Sequence, residues 1–170
     1  KINFLGTYNM LNLAKNNKVS GIVTLPIYKK NLMENNSNFI GHTEYLAEKD
    51  GQDSLMILMS KDLKVATITT HIPISKVSKS LTRKKIAAKI EILNKCLIND
   101  FNIKKPRIAV SSLNPHSGEE GSIGIEEINT IKPCVNYFKD RGIKIEGPLP
   151  ADTLFYKKNL DKFDSRICMY

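Results

Sequence analysis

Apolar and polar positions alternate along this chain in two rhythms. Between residues 2 and 16, Ile2, Leu5, Leu11, Leu13 and Ala14 stand among polar neighbours at roughly helical spacing, and Asn17-Lys18 reads as a helix stop. The run Gly21-Ile22-Val23-Thr24-Leu25 is short, partly β-branched and closed by Pro26, which predicts a buried strand leading into a loop. Residues 31–53 are polar and rich in Asn and Gly, so they read as mostly loop with a short helix. Two apolar runs, Ser54–Ser60 and Leu63–Thr70, flank the polar pair Lys61-Asp62 and predict a β-hairpin. Thr82 is a good N-cap for a helix reaching about Asn99, with Ile86, Ile90, Leu93 and Leu97 on one face. Pro106 closes the next loop and Arg107–Ser111 reads as a buried strand. Ile125–Lys139 predicts a helix kinked at Pro133 and ended by Gly142. Ile143–Ile145 and the start of Arg166–Tyr170 read as further strands. Strands alternating with helices make this an α/β chain, and no internal repeat interrupts the pattern.

Composition narrows the class. The 170 residues are 41% hydrophobic and 25% charged, which suits one globular domain or a large piece of one and argues against disorder. The formal charge of +9 favours an anionic partner, whether nucleic acid, a membrane surface or a phosphorylated small molecule. The lysines, however, are scattered in pairs such as Lys29-Lys30, Lys84-Lys85, Lys104-Lys105 and Lys157-Lys158, with no nucleic-acid-binding motif, so solvated helix faces explain them better. Cys96, Cys134 and Cys168 form no CxxC pair, which speaks against a thiolate zinc site and fits the reducing cytoplasm. No apolar run is long enough to span a bilayer. The chain opens with Lys1 rather than Met, so the lack of a signal peptide carries little weight.

The candidate chemistry sits where strands end. His42 lies in Gly41-His42-Thr43-Glu44, His71 follows the predicted strand Val65–Thr70, and His116 lies beyond Arg107–Ser111 in Leu113-Asn114-Pro115-His116-Ser117-Gly118-Glu119. Ligands of open α/β sheets gather beyond the carboxyl ends of the strands. Two imidazoles brought together there suit a divalent first-row metal. Spacing alone also fits the commoner case of polar loop residues, because no short ligand motif joins them. Gly118, Gly121 and Gly124 let the backbone turn tightly or approach a ligand, but they do not form a dinucleotide-binding GxGxxG. Glu126 and Glu127 read as first-turn carboxylates that cap the next helix and suit its dipole. Lys29 reads as a surface lysine or as a group that meets an anion or moves a proton. Asp152, after the rigid Gly147-Pro148-Leu149-Pro150-Ala151, reads as an N-cap, as a carboxylate near a metal, or as both.

Taken together, five segments resemble the 4-hydroxythreonine-4-phosphate dehydrogenase family in order and spacing: Val23–Lys29, Gly41–Glu44, Thr69–Pro73, Leu113–Glu119 with Gly121 and Gly124–Glu127, and Gly147–Phe155. The resemblance covers nearly the whole chain. It implies a three-layer α/β/α fold like that of the isocitrate and isopropylmalate dehydrogenases, of which residues 1–170 form the central, metal- and substrate-binding part of a two-lobed subunit. It implies an NAD- and metal-dependent oxidation of 4-phosphooxy-L-threonine followed by decarboxylation to 3-amino-2-oxopropyl phosphate, in pyridoxal phosphate (vitamin B6) synthesis. The implied metal is zinc, magnesium, cobalt or manganese. The implied partners are a phosphorylated small molecule and a second subunit, in a cytoplasmic homodimer with its active site at the interface, without nucleic acid or membrane.

Residue by residue, His71 and His116 match two of the family's three metal-binding histidines, His42 and Thr43 its substrate-binding pair, and Asp152 an acidic residue near the metal. Asp152 and Lys29 are the candidates for catalytic proton handling. The sequence also departs from the family. Leu25 stands where a small residue is usual and Tyr28 where Asn or His is usual. The third metal histidine of the family directly follows a Met-Tyr pair, and this chain ends at Met169-Tyr170. The opening lobe and the C-terminal segment are missing as well. The expectation is therefore an incomplete metal site and an inactive 170-residue chain. Two alternatives stand beside this reading: a relative acting on another phosphorylated hydroxy acid such as threonate 4-phosphate or on a diol ring acid, and a non-catalytic basic binding module.

Overall fold

A computed structural model describes residues 2–25, 42–51 and 53–170, and the chain divides into two compact units, Lys1–Ser54 and Leu55–Tyr170. In the first unit, helix α1 (Ile2–Lys15) packs against α2 (His42–Asp50), and Lys15 Nζ lies 2.7 Å from Asp50 Oδ1. Asn17 takes a left-handed φ of 54°, and the Asn17 and Lys18 N–H groups donate to Ala14 O and Leu13 O. These are the paired bonds of a Schellman stop, so Asn17-Lys18 ends the helix as its sequence predicts. The predicted strand at residues 21–25 is corrected. The segment pairs with no strand among the described residues, and Val23 and Leu25 are exposed. A short β-branched run becomes a strand only where a neighbour accepts its hydrogen bonds.

The second unit is built on one sheet. Its elements are β1 (Met56–Ser60), β2 (Leu63–Thr67), α3 (Ile74–Ser80), α4 (Arg83–Asn99), β3 (Arg107–Ser111), a tight turn at Pro115–Gly121, a π-helical turn at Glu127–Ile131, α5 (Lys132–Lys139), β4 (Lys144–Leu149), the short helices α6 (Ala151–Leu154) and α7 (Lys157–Leu160), and β5 (Ser165–Cys168). The strand order is β1-β2-β5-β3-β4. β1 and β2 form the predicted antiparallel hairpin, and every other pairing is parallel. β5, last in sequence, therefore lies between β2 and β3.

Alternation along the strands sorts the two faces. Ala66, Ile108, Val110, Ile145 and Ile167 join the core with the stripe Ile86, Ile90, Leu93 and Leu97 of α4 and with Val135 and Phe138 of α5. Arg166 points the opposite way, fully buried, and its guanidinium donates to Asn159 O, Leu160 O and Phe163 O. A cation thus binds the carbonyls at and beyond the end of α7, where the helix dipole favours positive charge. Helices on one face and the α7 segment on the other make the α/β layering that the pattern predicts. Thr82 caps α4 by accepting from Lys85 N–H at 3.2 Å.

Pro133 does not kink a long α-helix. The chain widens into a π turn over Glu127–Ile131, and α5 starts afresh with Pro133 in its first turn, where no amide donor is needed. α3 carried no helical signal in the sequence. It is seven residues long, mostly Ser and Lys, and buries only Val77.

Candidate active site

The carboxyl ends of β2, β5 and β3 open on one edge of the sheet because the three strands are parallel neighbours. The ladder runs on past β2: Ile68 and Thr69 N–H donate to Cys168 O and Met169 O, and Thr69 Oγ1 donates to Met169 O at 2.7 Å. The chain then turns at His71, which is exposed and has a φ of 57°. On the other side of β5, Ser112 N–H bonds Leu149 O beyond β3 and Leu113-Asn114 lead into the Pro115–Gly121 turn. There His116, Ser117, Gly118, Glu119 and Glu120 all have positive φ, from 42° to 78°. L-residues avoid this region at about 1–2 kcal/mol each. Both candidate histidines therefore sit in strained backbone, which persists only where the surroundings over-determine it.

Glu127 is what holds the second of these turns. It is 2% exposed; its Oε1 accepts the N–H groups of Leu113 and Asn114 at 2.8 Å each, and its Oε2 accepts Asn114 Nδ2 at 2.9 Å. Asn114 Nδ2 also donates to Glu126 Oε2 at 2.9 Å, and Glu126 Oε1 accepts from the Ser78 hydroxyl of α3. The Ser78 hydroxyl, then the Asn114 amide, hold the Glu126 carboxyl below its ordinary value. Glu127 does lie in the first turn of its helix, but the capping expected of these two glutamates is corrected: Glu126, at the N-cap position, makes no side-chain cap bond, and Glu127 turns inward to bind the loop backbone. Polar sequence context hid this role, which only the fold of Leu113–Gly124 over Glu127 creates. The signal available was the glycines. A Cβ at Gly118 would lie 2.6 Å from Gly124 O and 2.8 Å from Glu127 Oε2, and one at Gly124 would overlap the Asn114 amide.

Asp152 enters from the strand beside β3. β4 ends at Leu149, and Pro150 leads into α6 with Asp152 in its first turn. The N-cap position belongs to Pro150 and no side chain caps there, so the N-cap reading of Asp152 is corrected. Asp152 Oδ2 instead lies 3.6 Å from His116 Nδ1, both side chains being more than half exposed. That approach is just beyond hydrogen-bond length. Among the described residues, no three His, Cys, Asp or Glu side chains form a group that could hold a metal. Burial raises all three thiols: Cys134 and Cys168 above their ordinary value, and Cys96, which also bonds Asp100, to about 11.

The sequence model of the family described as pyridoxal phosphate biosynthetic protein PdxA matches residues 7–170. The chain belongs to this family. It is 43% identical over 152 residues to a 4-hydroxythreonine-4-phosphate dehydrogenase of Pseudoalteromonas translucida (strain TAC 125), covering 89% of this chain and 46% of that protein. The crystal structure of such a dehydrogenase from Klebsiella pneumoniae superposes with a TM-score of 0.89 at 33% identity, covering 98% of this chain and 50% of that one. One from Burkholderia phymatum gives 0.85 at 36% identity, covering 98% and 51%. The chain thus spans about half the length of the relatives it matches.

For a member of the PdxA family, the second unit brings His116 and Asp152 into contact and sets His71 on the same sheet edge. Thr43 lies exposed in the first turn of α2 in the first unit, and His42 begins that helix. Lys29 lies outside the described residues. No helix among the described residues is long and apolar enough to cross a membrane.

Proposed function

We propose that the protein carrying this chain oxidises 4-phosphooxy-L-threonine with NAD and decarboxylates the product to 3-amino-2-oxopropyl phosphate in vitamin B6 synthesis. The observation that carries this reading is the pair of left-handed histidines, His71 and His116, beyond parallel strands that flank β5, with Asp152 against the second. Family membership and the dehydrogenase names of the relatives support it. The reaction removes a hydride from the secondary alcohol carbon to NAD and a proton from its oxygen. The β-keto acid so formed releases carbon dioxide, and a proton replaces the carboxylate.

His71 and His116 would hold a divalent cation, completed by ligands beyond the described residues. Imidazole donors suit zinc or cobalt better than magnesium or manganese, which prefer oxygen. Such an ion would ease loss of the alcohol proton and stabilise the negative charge left by decarboxylation. Asp152, 3.6 Å from His116, would help orient that imidazole and take up a proton. Lys29 is the second proton-transfer candidate, and His42 with Thr43 would bind the substrate. The basic balance of the chain suits a phosphorylated substrate, and a cytoplasmic homodimer with a shared active site completes the proposal. In this assembly residues 1–170 form the central part of the subunit.

The test is NADH production by the full-length protein, before and after chelation. Loss of activity on chelation, its return with zinc, cobalt, manganese or magnesium, and a drop of at least about 100-fold in kcat/KM for His116→Ala would support the reading. Full activity in the chelated protein would overturn it.

A further inference from the structure

We infer that Glu127 and Glu126 are positioning residues that clamp the Asn114 amide between two carboxylates and so present His116; the inference rests on the metal role proposed for that histidine. Glu127 Oε1 takes both loop N–H groups, of Leu113 and Asn114. The Asn114 side chain must then satisfy two carboxylate oxygens at once, Glu126 Oε2 and Glu127 Oε2, each 2.9 Å from Nδ2. Only its NH2 end can do so, because a carboxylate accepts and never donates. The clamp fixes the residue two before His116 in place and in orientation. It also reaches the other histidine-bearing segment, since Glu126 Oε1 accepts from Ser78 in α3, the helix that follows His71. Gly118 and Gly124 are the two positions at which any side chain would strike the clamp or the strand of backbone laid over it. Two glycines, two carboxylates and one amide therefore form a single device around a strained turn that such a device must hold.

The geometry makes a prediction that a general need for buried charge does not. In Glu127→Gln, Oε1 can still accept the two backbone N–H groups, but the new NH2 faces Asn114 Nδ2, donor against donor. Turning the Asn114 amide relieves that pair and sets Asn114 Oδ1 against Glu126 Oε2, acceptor against acceptor. The double variant Glu126→Gln/Glu127→Gln restores every bond: Asn114 turns, its Oδ1 accepts from both new NH2 groups, and the amide oxygen introduced by Glu126→Gln still accepts from Ser78.

The experiment titrates full-length protein with Co2+, following its visible absorption, in wild type, Glu127→Gln, the double variant and His116→Ala. The expected result is Co2+ affinity about tenfold or more weaker in Glu127→Gln, the scale of lost ligand-orienting contacts. Recovery to within about threefold of wild type is expected in the double variant. Wild-type affinity in Glu127→Gln, or a double variant no tighter than the single one, would overturn the clamp while His116→Ala still loses Co2+. Unchanged Co2+ binding in His116→Ala would instead overturn the metal reading, and the clamp's metal role with it. Should Glu127→Gln be too unstable to purify, thermal melting in lysate decides. A double variant melting above the single one supports the clamp, and one melting at or below it overturns the clamp.

Discussion

At the scale of single residues, two glycines with similar backbone separate conformation from contact. Gly118 and Gly142 have φ of 78° and 81°, but a Cβ at Gly142 meets nothing within 4 Å, whereas one at Gly118 meets Gly124 O and Glu127. Gly142→Ala is expected to cost about 1 kcal/mol, the conformational term alone. Gly118→Ala adds a collision with backbone and a buried carboxylate and should cost clearly more; urea unfolding of the pair measures the difference. Charge gives a second test. Asp164 accepts from Arg107 N–H at 2.7 Å and pairs with the guanidinium through both oxygens. The Arg107 hydrogen bonds hold its carboxyl below the usual value. A depressed folded pKa contributes stability above the unfolded value of about 4 and loses it as pH falls through the folded one. Asp164→Asn should therefore destabilise at pH 7, by no more than about 1 kcal/mol for so exposed a pair. The gap to wild type should close as pH drops below about 4, which unfolding curves across pH will show.

Elements differ in how much of themselves the sequence announces. α4 announces nearly everything: the Thr82 cap, four apolar positions at helical spacing, and burial of all four to 0%. Thr82→Ala should cost about 1 kcal/mol and Leu93→Ala about 2–5 kcal/mol, the cap and cavity magnitudes, both read from denaturant midpoints. The β1–β2 hairpin and the stops at Asn17 and Gly142 are equally local, since turn and αL preferences act over a few residues. Residues 21–25 mislead because strand character is completed by a partner. The Glu127–Ile131 turn misleads because periodicity cannot separate a kinked helix from a π turn followed by a fresh helix. α3 is too short and polar to leave a periodic mark, although it carries Ser78 to Glu126.

For the whole molecule, the unit Leu55–Tyr170 sets His71 and His116 on one sheet edge, but the described residues hold no three-ligand group. On the proposed function, the 170-residue chain, about half the length of its relatives, is expected to make no NADH from 4-phosphooxy-L-threonine under conditions where the full-length protein would; robust turnover would contradict the proposed site. Sequence alone determined what depends on near neighbours and residue types: the α/β alternation, the hairpin, the capped core helix, the five segments that resemble the family and the histidines they contain. Tertiary structure decided what depends on distant partners. Threading β5 between β2 and β3 puts His71 and His116 on one edge, and β4 beside β3 delivers Asp152 to His116. It also turned two glutamates that looked like helix-end charges into the support of a loop, because a carboxylate's role follows from the donors folded onto it and those donors lie on Leu113, Asn114 and Ser78.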